Sequence, residues 1–303
     1  MQKTERIWLD GTLVPWDEAQ VHVLTHTLHY GLGVFEGIRC YEGRDGVSAI
    51  FRLPEHVDRL FGSAHVLDLE MPWTREQIAE ACRDTVRANR LRECYIRPIA
   101  FLGDGEMGLA ARPRTRVAVA AWPWGAYLGD HGLRDGVRLK TSSFQRFHPN
   151  TLLTKAKAVG HYVNSILAAR EARGLGFDES LMLDVDGYVS EASGENIFIV
   201  SQGVVKTTAL PTVLGGITRD AVLRLLADLG VTTREERFTR DEVYLADEAF
   251  FTGTAVEVTP IRELDGRRIG VGRPGPVTTK IQEIFFSIVK GGDSRYASWL
   301  TPV

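Results

Sequence analysis

Cysteine is scarce in this chain of 303 residues. Cys40, Cys82 and Cys94 lie far apart and in no Cys-x-x-Cys spacing, so neither a disulfide framework nor a zinc site is indicated, and a reducing compartment fits. A charge excess is missing too. Thirty-six Lys and Arg face 39 Asp and Glu, and no basic block is longer than a pair, which argues against a nucleic-acid or anionic-membrane surface. No apolar run approaches the 18 residues of a membrane-spanning helix. The N-terminus begins Met-Gln-Lys-Thr-Glu-Arg, without the apolar core of a signal peptide, so a cytoplasmic location is expected. Neither a GxxxxGK[ST] phosphate loop nor a GxSxG nucleophile elbow occurs.

What remains is an ordinary globular composition, 44% hydrophobic, of a length that suggests two domains. Strand patterns (residues 34–41, 47–52, 94–101, 116–122, 137–141, 197–200 and 249–252) alternate with amphipathic helices. Pro54 opens one helix, with Val57, Leu60, Phe61 and Ala64 as its stripe. Thr74 and Gln77 form a capping box for the next, which runs towards Asn89. A third helix should place Val159, Tyr162, Val163, Ile166 and Leu167 on one apolar face and end near Gly174. A fourth, from Thr218, carries Ala221, Val222, Leu225, Leu226 and Leu229, and a last one carries Val277, Ile281, Ile284, Phe285 and Ile288. Because most strands look hairpin-connected, the expected class is α+β in two domains. Residues 1–126 form a small N-terminal domain, 127–136 a polar, glycine-rich linker, and 137–303 a larger C-terminal domain.

Several motifs invite chemistry. Gly103-Asp-Gly-Glu-Met-Gly108 has dinucleotide spacing, but Asp104 and Glu106 would meet a pyrophosphate with like charge and Pro113 falls where the phosphate-binding helix should run. His22, His26 and His29 would align on a helix, yet only Val, Leu and Thr lie between them, so they read as structural histidines and no metal is expected. Gly215-Gly216 leads into the fourth helix, where the amides of Ile217 and Thr218 could cradle an anion. A plain Gly-Gly turn would fit the same residues. Lys157, between Ala156 and Ala158, sits where desolvation could lower an amine's pKa enough for imine formation, whereas an exposed lysine, there or at Lys155, is the plainer outcome. Ser190 to Asn196 puts Glu191 and Glu195 in a small-residue turn.

Taken together the segments carry a resemblance. His29-Tyr-Gly with Val34-Phe-Glu-Gly-Ile-Arg39, Glu55-His-x-x-Arg59, Tyr95-Ile-Arg97-Pro, Trp124-Gly-Ala-Tyr127, Pro149-Asn-Thr with Ala156-Lys157-Ala, Ser190-Glu191 through Glu195-Asn196, Gly216-Ile-Thr-Arg-Asp220 and Gly253-Thr254-Ala255-Val-Glu257 follow one another in order. The chain thereby resembles class IV pyridoxal-phosphate aminotransferases, in particular the branched-chain amino acid subfamily. Lys155 and Val159, around the lysine, depart from the smaller residues usual there.

The resemblance implies fold type IV, with a small α/β sandwich domain and a larger domain whose strands form a pseudo-barrel. It implies pyridoxal 5′-phosphate bound covalently by Lys157, with Glu191 on the pyridine nitrogen and Tyr162 on the ring hydroxyl. Arg59, Ile217, Thr218 and Thr254 would hold the phosphate; off its helix stripe, Arg59 could equally be a solvated arginine. Tyr95 and the amides of Thr254 and Ala255 would take the substrate α-carboxylate. Tyr30, Phe35, Trp124 and Tyr127 would line the side-chain pocket, and Arg97 would meet the second carboxylate of glutamate. The implied reaction is reversible amino transfer between leucine, isoleucine or valine and 2-oxoglutarate, in a homodimer or trimer of dimers. A D-amino acid or (R)-amine transaminase or an aminodeoxychorismate lyase would use the same lysine and glutamate; a nicotinamide oxidoreductase would rest on residues 103–108 alone, and a plain binding module would leave Lys157 and Glu191 to coincidence.

Overall fold

Along Thr115–Trp122 every second residue is buried, with Val117, Val119 and Ala121 facing inward. This period of two is the signature of a sheet covered on one face. The computed structural model describes residues 2–125 and 127–303. It divides into one unit of Met1–Trp124, Lys155–Gly160 and Ser287–Val303, and another of Gly125–Thr154 and His161–Phe286.

The first unit contains β1 (Arg6–Leu9), β2 (Thr12–Pro15), α1 (His26–Tyr30), β3 (Gly33–Phe35), β4 (Ile38–Glu42), β5 (Ser48–Phe51), α2 (Leu53–Val66), α3 (Arg75–Ala88), β6 (Cys94–Leu102) and β7 (Thr115–Trp122). Its sheet runs from the strand Leu300–Pro302 through β5, β4, β6, β7 and β1 to β2, and β3 also pairs with β6. These pairings are antiparallel. α2 and α3 pack on each other, α2 also on β3, and α3 also on β1, β6 and β7. Leu60, Ile78, Val86, Ile96 and Val119 are among the fully buried residues there, each stabilising by about 1.5–3 kcal/mol. The capping box forms as its residues suggest: the Gln77 amide donates to Thr74 Oγ1 at 3.3 Å and the Thr74 amide to Gln77 Oε1 at 2.8 Å.

The second unit holds β8 (Val137–Thr141), β9 (Glu179–Leu183), β10 (Val189–Ala192), β11 (Asn196–Ser201), β12 (Val204–Thr207), β13 (Thr233–Glu235), β14 (Glu248–Gly253), β15 (Glu257–Leu264) and β16 (Arg267–Arg268). Its helices are α4 (Gly129–Asp135), α5 (Tyr162–Gly174), α6 (Ile217–Asp228), α7 (Arg240–Leu245) and, to Phe286, α8 (Pro276–Val289). The sheet order is β10, β9, β8, β15, β14, β11, β12, β13, with β16 on β15. β8 is parallel to β9 and to β15, and β12 to β13, so this sheet is mixed. Phe198 and Phe250 stack across β11 and β14 with ring centroids 5.0 Å apart.

Four expectations change. The first unit is not one stretch of chain, because residues 157–160 run beside β3: the Phe35 amide donates to the Lys157 carbonyl at 3.1 Å, Val159 to Gly33 at 2.8 Å and Gly160 to Gly31 at 3.1 Å. The residues expected as a linker contain α4, packed on β15; Ala126, where the first domain was expected to end, lies outside the described residues. The expected apolar face of α5 is turned outward, with Val163, Ile166 and Leu167 62%, 46% and 42% exposed, while the smaller Ser165, Ala168 and Ala172 face inward. Short side chains let the helix lie close to β8 and β9, which decides the buried face over apolarity. Last, Leu229, expected on the apolar stripe of α6, is its exposed C-cap, and Gly230 beyond it, with φ 68°, ends the helix.

Residues 103–114 form an irregular loop between the antiparallel strands β6 and β7, closed by the Gly103 amide on the Arg114 carbonyl at 3.0 Å. No helix follows, so the dinucleotide spacing belongs to a long hairpin loop. Of His22, His26 and His29 only the last two are helical; their Nε2 atoms bond the carbonyls of Gly108 and Val23, at 3.0 and 2.9 Å. Among the described residues no helix is long and apolar enough to cross a membrane.

Candidate active site

Two lysines two residues apart have opposite surroundings. Lys155 is exposed, whereas Lys157 is half-buried between the buried Ala156 and Ala158. Its backbone is clamped on both sides. The amide donates to Ser63 Oγ on α2 at 3.0 Å, and the carbonyl accepts from Phe35. The ammonium nitrogen lies 5.2 Å from the centroid of the Phe35 ring.

That ring is shared with a second cation. The Arg97 guanidinium lies 4.6 Å from the Phe35 centroid and 5.2 Å from that of Tyr95, and its Nη2 donates to Tyr95 Oη at 3.1 Å. Arg97 and Tyr95 reach one side because they are two apart on β6. Gly37 makes the arrangement possible, since a Cβ there would come within 1.8 Å of Tyr95 Oη. Trp124 packs edge-on against Tyr95 at 4.6 Å, and its carbonyl accepts from Arg39 Nη1. Tyr30, on α1, is largely exposed, with its ring 4.6 Å from His26.

Arg59 is not a solvated arginine. His56 and Arg59 stand one turn apart on α2, and both reach the fully buried carboxylate of Glu36. Arg59 Nε donates to Oε1 at 2.7 Å and Nη2 to Oε2 at 2.9 Å, while His56 Nδ1 donates to Oε2 at 2.7 Å. Burial alone would push the Glu36 carboxyl up, but Arg59 and His56 overcome it and hold the group far below the usual carboxylate range. Burial pushes the His56 imidazole down, against the pull of Glu36, so it stays neutral. Sequence reasoning passed over Glu36 and His56 as functional residues; the i, i+3 spacing from His56 to Arg59 was the signal available.

In the second unit Glu191 lies on β10, a strand buried along its whole length, rather than in a turn. Arg146 Nε forms an ion pair with its Oε1 at 2.7 Å, and the Leu214 amide donates to Oε2 at 3.3 Å. Arg146 was not singled out by its sequence context. Glu195 follows in the turn, taking the Gly194 amide on its own carboxylate. Tyr162 is the half-buried first residue of α5.

Helix α6 begins one residue earlier than expected, at Ile217, and its N-cap is Gly216, which offers no side chain to the first-turn amides of Ile217 and Thr218. A Cβ on Gly216 would come within 2.0 Å of Asn196 Oδ1, while Asn196 Nδ2 donates to the Leu214 carbonyl at 3.1 Å. Asn196 and the glycine together thus keep this turn bare of side chain. Thr254 and Ala255 lie in the short connection closed by the Gly253–Glu257 pair of β14 and β15, where Glu257 adopts φ 57°. Tyr127 packs on the core of this unit; burial, then the carboxylates of Glu195 and Glu179, pushes its hydroxyl up.

A family model described as amino-transferase class IV matches residues 33–264. The chain belongs to the class IV aminotransferases. This aminotransferase is 54% identical to a branched-chain-amino-acid aminotransferase of Pseudomonas aeruginosa, over 98% of its own length and 97% of the relative's. Its fold matches the crystal structure of the Escherichia coli branched-chain amino acid aminotransferase with a TM-score of 0.96 at 46% identity, covering 99% of both chains. The branched-chain amino acid aminotransferase of Thermobaculum terrenum, solved in its PLP form, matches with a TM-score of 0.93 at 34% identity, over 100% of this chain and 99% of that one. The aminotransferase therefore has the type IV fold, and its motifs lie on the elements just described.

Proposed function

We propose that this aminotransferase uses pyridoxal 5′-phosphate to move amino groups reversibly between leucine, isoleucine or valine and 2-oxoglutarate. One observation carries the reading: Lys157 and Arg97 both lie over the Phe35 ring, at 5.2 and 4.6 Å. A reactive amine beside an aromatic surface with a guanidinium on it suits substrates that alternate between an aliphatic side chain and a second carboxylate.

The residues present fit the cofactor's chemistry. A bare N-terminus on a 12-residue helix suits a phosphate, and a buried carboxylate suits a protonated ring nitrogen. When bound, pyridoxal phosphate supplies a carbonyl for the amino group and a ring that withdraws electrons. Lys157 would hold the cofactor covalently through its amine, and that amine, once displaced by the substrate's amino group, would be free to move the proton at the substrate Cα. The clamp on its main chain, from Ser63 and Phe35, fixes the amine's origin. Glu191 would keep the ring nitrogen protonated, and Tyr162 would bond the ring hydroxyl. Arg59 and the amides of Ile217 and Thr218, with Thr254, are the groups that would hold the phosphate. Tyr95 and the amides of Thr254 and Ala255 receive the α-carboxylate; Phe35, Tyr30, Trp124 and Tyr127 exclude water from the side chain, and Arg97 neutralises the second carboxylate of glutamate.

Self-association, as a homodimer or trimer of dimers, belongs to the same proposal and is supported by the exposed Val163, Ile166 and Leu167 on α5. So does a cytoplasmic location, supported by the scarcity of cysteine.

The test is Arg97→Met, followed by single-turnover absorbance for each half-reaction. The barrier for glutamate should rise by about 2–4 kcal/mol while leucine is little affected. Equal losses for both would show that Arg97 serves the shared α-carboxylate or the fold, and activity confined to D-amino acids would overturn the substrate assignment.

A further inference from the structure

A fully buried carboxylate needs a reason. An Arg–Glu pair inside a protein gains about as much from attraction as it loses on leaving water, so stability alone does not explain Glu36. Its surroundings are nevertheless complete. Oε1 takes Arg59 Nε, and Oε2 takes Arg59 Nη2, His56 Nδ1 and, at 3.3 Å, the Gly37 amide. The Glu36 amide in turn donates to the Pro98 carbonyl at 2.9 Å, tying the residue to β6. Every bond to the carboxylate restricts one object, the plane of the Arg59 guanidinium. Two of its nitrogens are held in a fork whose base, Glu36, is fixed from the helix by His56 and from the strand by the backbone.

We propose that Glu36, steadied by His56, is a positioning residue that presents Arg59 to the phosphate of the cofactor in a single orientation. This rests on the phosphate role of Arg59 proposed above. An arginine on a surface helix loses rotamer freedom when it grips an anion; one already locked by its carboxylate has lost that freedom on folding, so each contact with the phosphate is retained as affinity. The same carboxylate partly offsets the positive charge of Arg59. Electrostatics alone therefore predicts that removing Glu36 strengthens phosphate binding, and pre-organisation predicts that it weakens it.

This opposition gives the test. Full-chain protein, purified as holoenzyme and stripped of cofactor by dialysis, is titrated with pyridoxal 5′-phosphate and with pyridoxal, which lacks the phosphate, for the parent, Glu36→Gln, Arg59→Ala and the double variant; thermal melts report folding. Glu36→Gln should weaken pyridoxal 5′-phosphate about three- to thirtyfold and leave pyridoxal unchanged. The double variant should bind no worse than Arg59→Ala alone, because Glu36 acts through Arg59. Equal weakening of both ligands, tighter phosphate binding, or additive losses in the double variant would overturn the positioning role. If Arg59→Ala weakens the phosphorylated ligand and Glu36→Gln does not, this inference fails and the role of Arg59 stands; if Arg59→Ala has no effect, both fall. Should Glu36→Gln fold poorly, Glu36→Asp keeps the charge but withdraws the fork by one methylene, and the same phosphate-selective loss decides.

Discussion

Glu36 and Glu191 are both carboxylates closed off from water and paired with an arginine, one in each unit, yet the roles within the two pairs are reversed. In the first, the arginine is the proposed ligand and the carboxylate holds it, with a neutral histidine as a further donor. In the second, the carboxylate is the proposed ligand and Arg146 holds it, with the Leu214 amide as the further donor. The same buried ion pair can thus deliver a fixed positive charge or a fixed negative one. Glu36 is bonded by two elements and Arg59 extends from the fork, whereas Glu191 sits on a strand and Arg146 reaches to it.

Breaking the second pair should have the largest effect. Arg146→Met removes the arginine partner of Glu191 while keeping bulk, takes the paired charge from a buried carboxylate, and should destabilise the protein by about 3–5 kcal/mol, read from denaturant melts of the cofactor-free protein. A small change would mean that other groups neutralise Glu191. Next, Glu191→Gln should lower kcat by about a hundred- to a thousandfold while visible absorbance from bound cofactor persists, because a neutral amide cannot stabilise a protonated ring nitrogen. Were Glu195→Gln the damaged variant instead, the roles assigned to the two glutamates would have to be exchanged.

The smallest effect sharpens the comparison, because only the first pair contains a titrating partner. Burial lowers the His56 pKa from the ordinary 6.5, with Arg59 and Lys157 adding to burial and Glu36 opposing it. Below pH 6.5 the unfolded chain takes up a proton that folded His56 refuses, so stability falls on acidification, with a slope of at most about 1.4 kcal/mol per pH unit from this group. Glu36, held far below its usual range, contributes a constant amount over the same window. His56→Gln should flatten the pH dependence of the melting temperature between pH 7 and 5; an unaltered slope would mean that His56 titrates normally.

Much of this was legible in the residues, for physical reasons that differ from place to place. The Thr74 capping box and the Pro54 helix start are local chemistry, and both form where the sequence puts them. The difference between Lys155 and Lys157 was foreshadowed by the alanines on either side of Lys157. Other features depend on partners distant in the chain. Nothing around Glu36 marks it as the floor beneath Arg59, because its donors come from a helix some twenty residues on. Arg146 looks like any loop arginine until β10 is laid beside it. On α5 the apolar stripe misled, because close packing on β8 and β9 selected Ser165, Ala168 and Ala172 in place of the larger residues.

The pairing of Leu300–Pro302 with β5 has a consequence for how the protein is made. β5 leaves the ribosome about 250 residues before the strand that covers its edge, a delay on the order of 10–50 s at usual synthesis rates. During that interval the nascent first unit carries an unpaired strand edge and also lacks residues 155–160 beside β3. The unit that begins first is therefore the last to close.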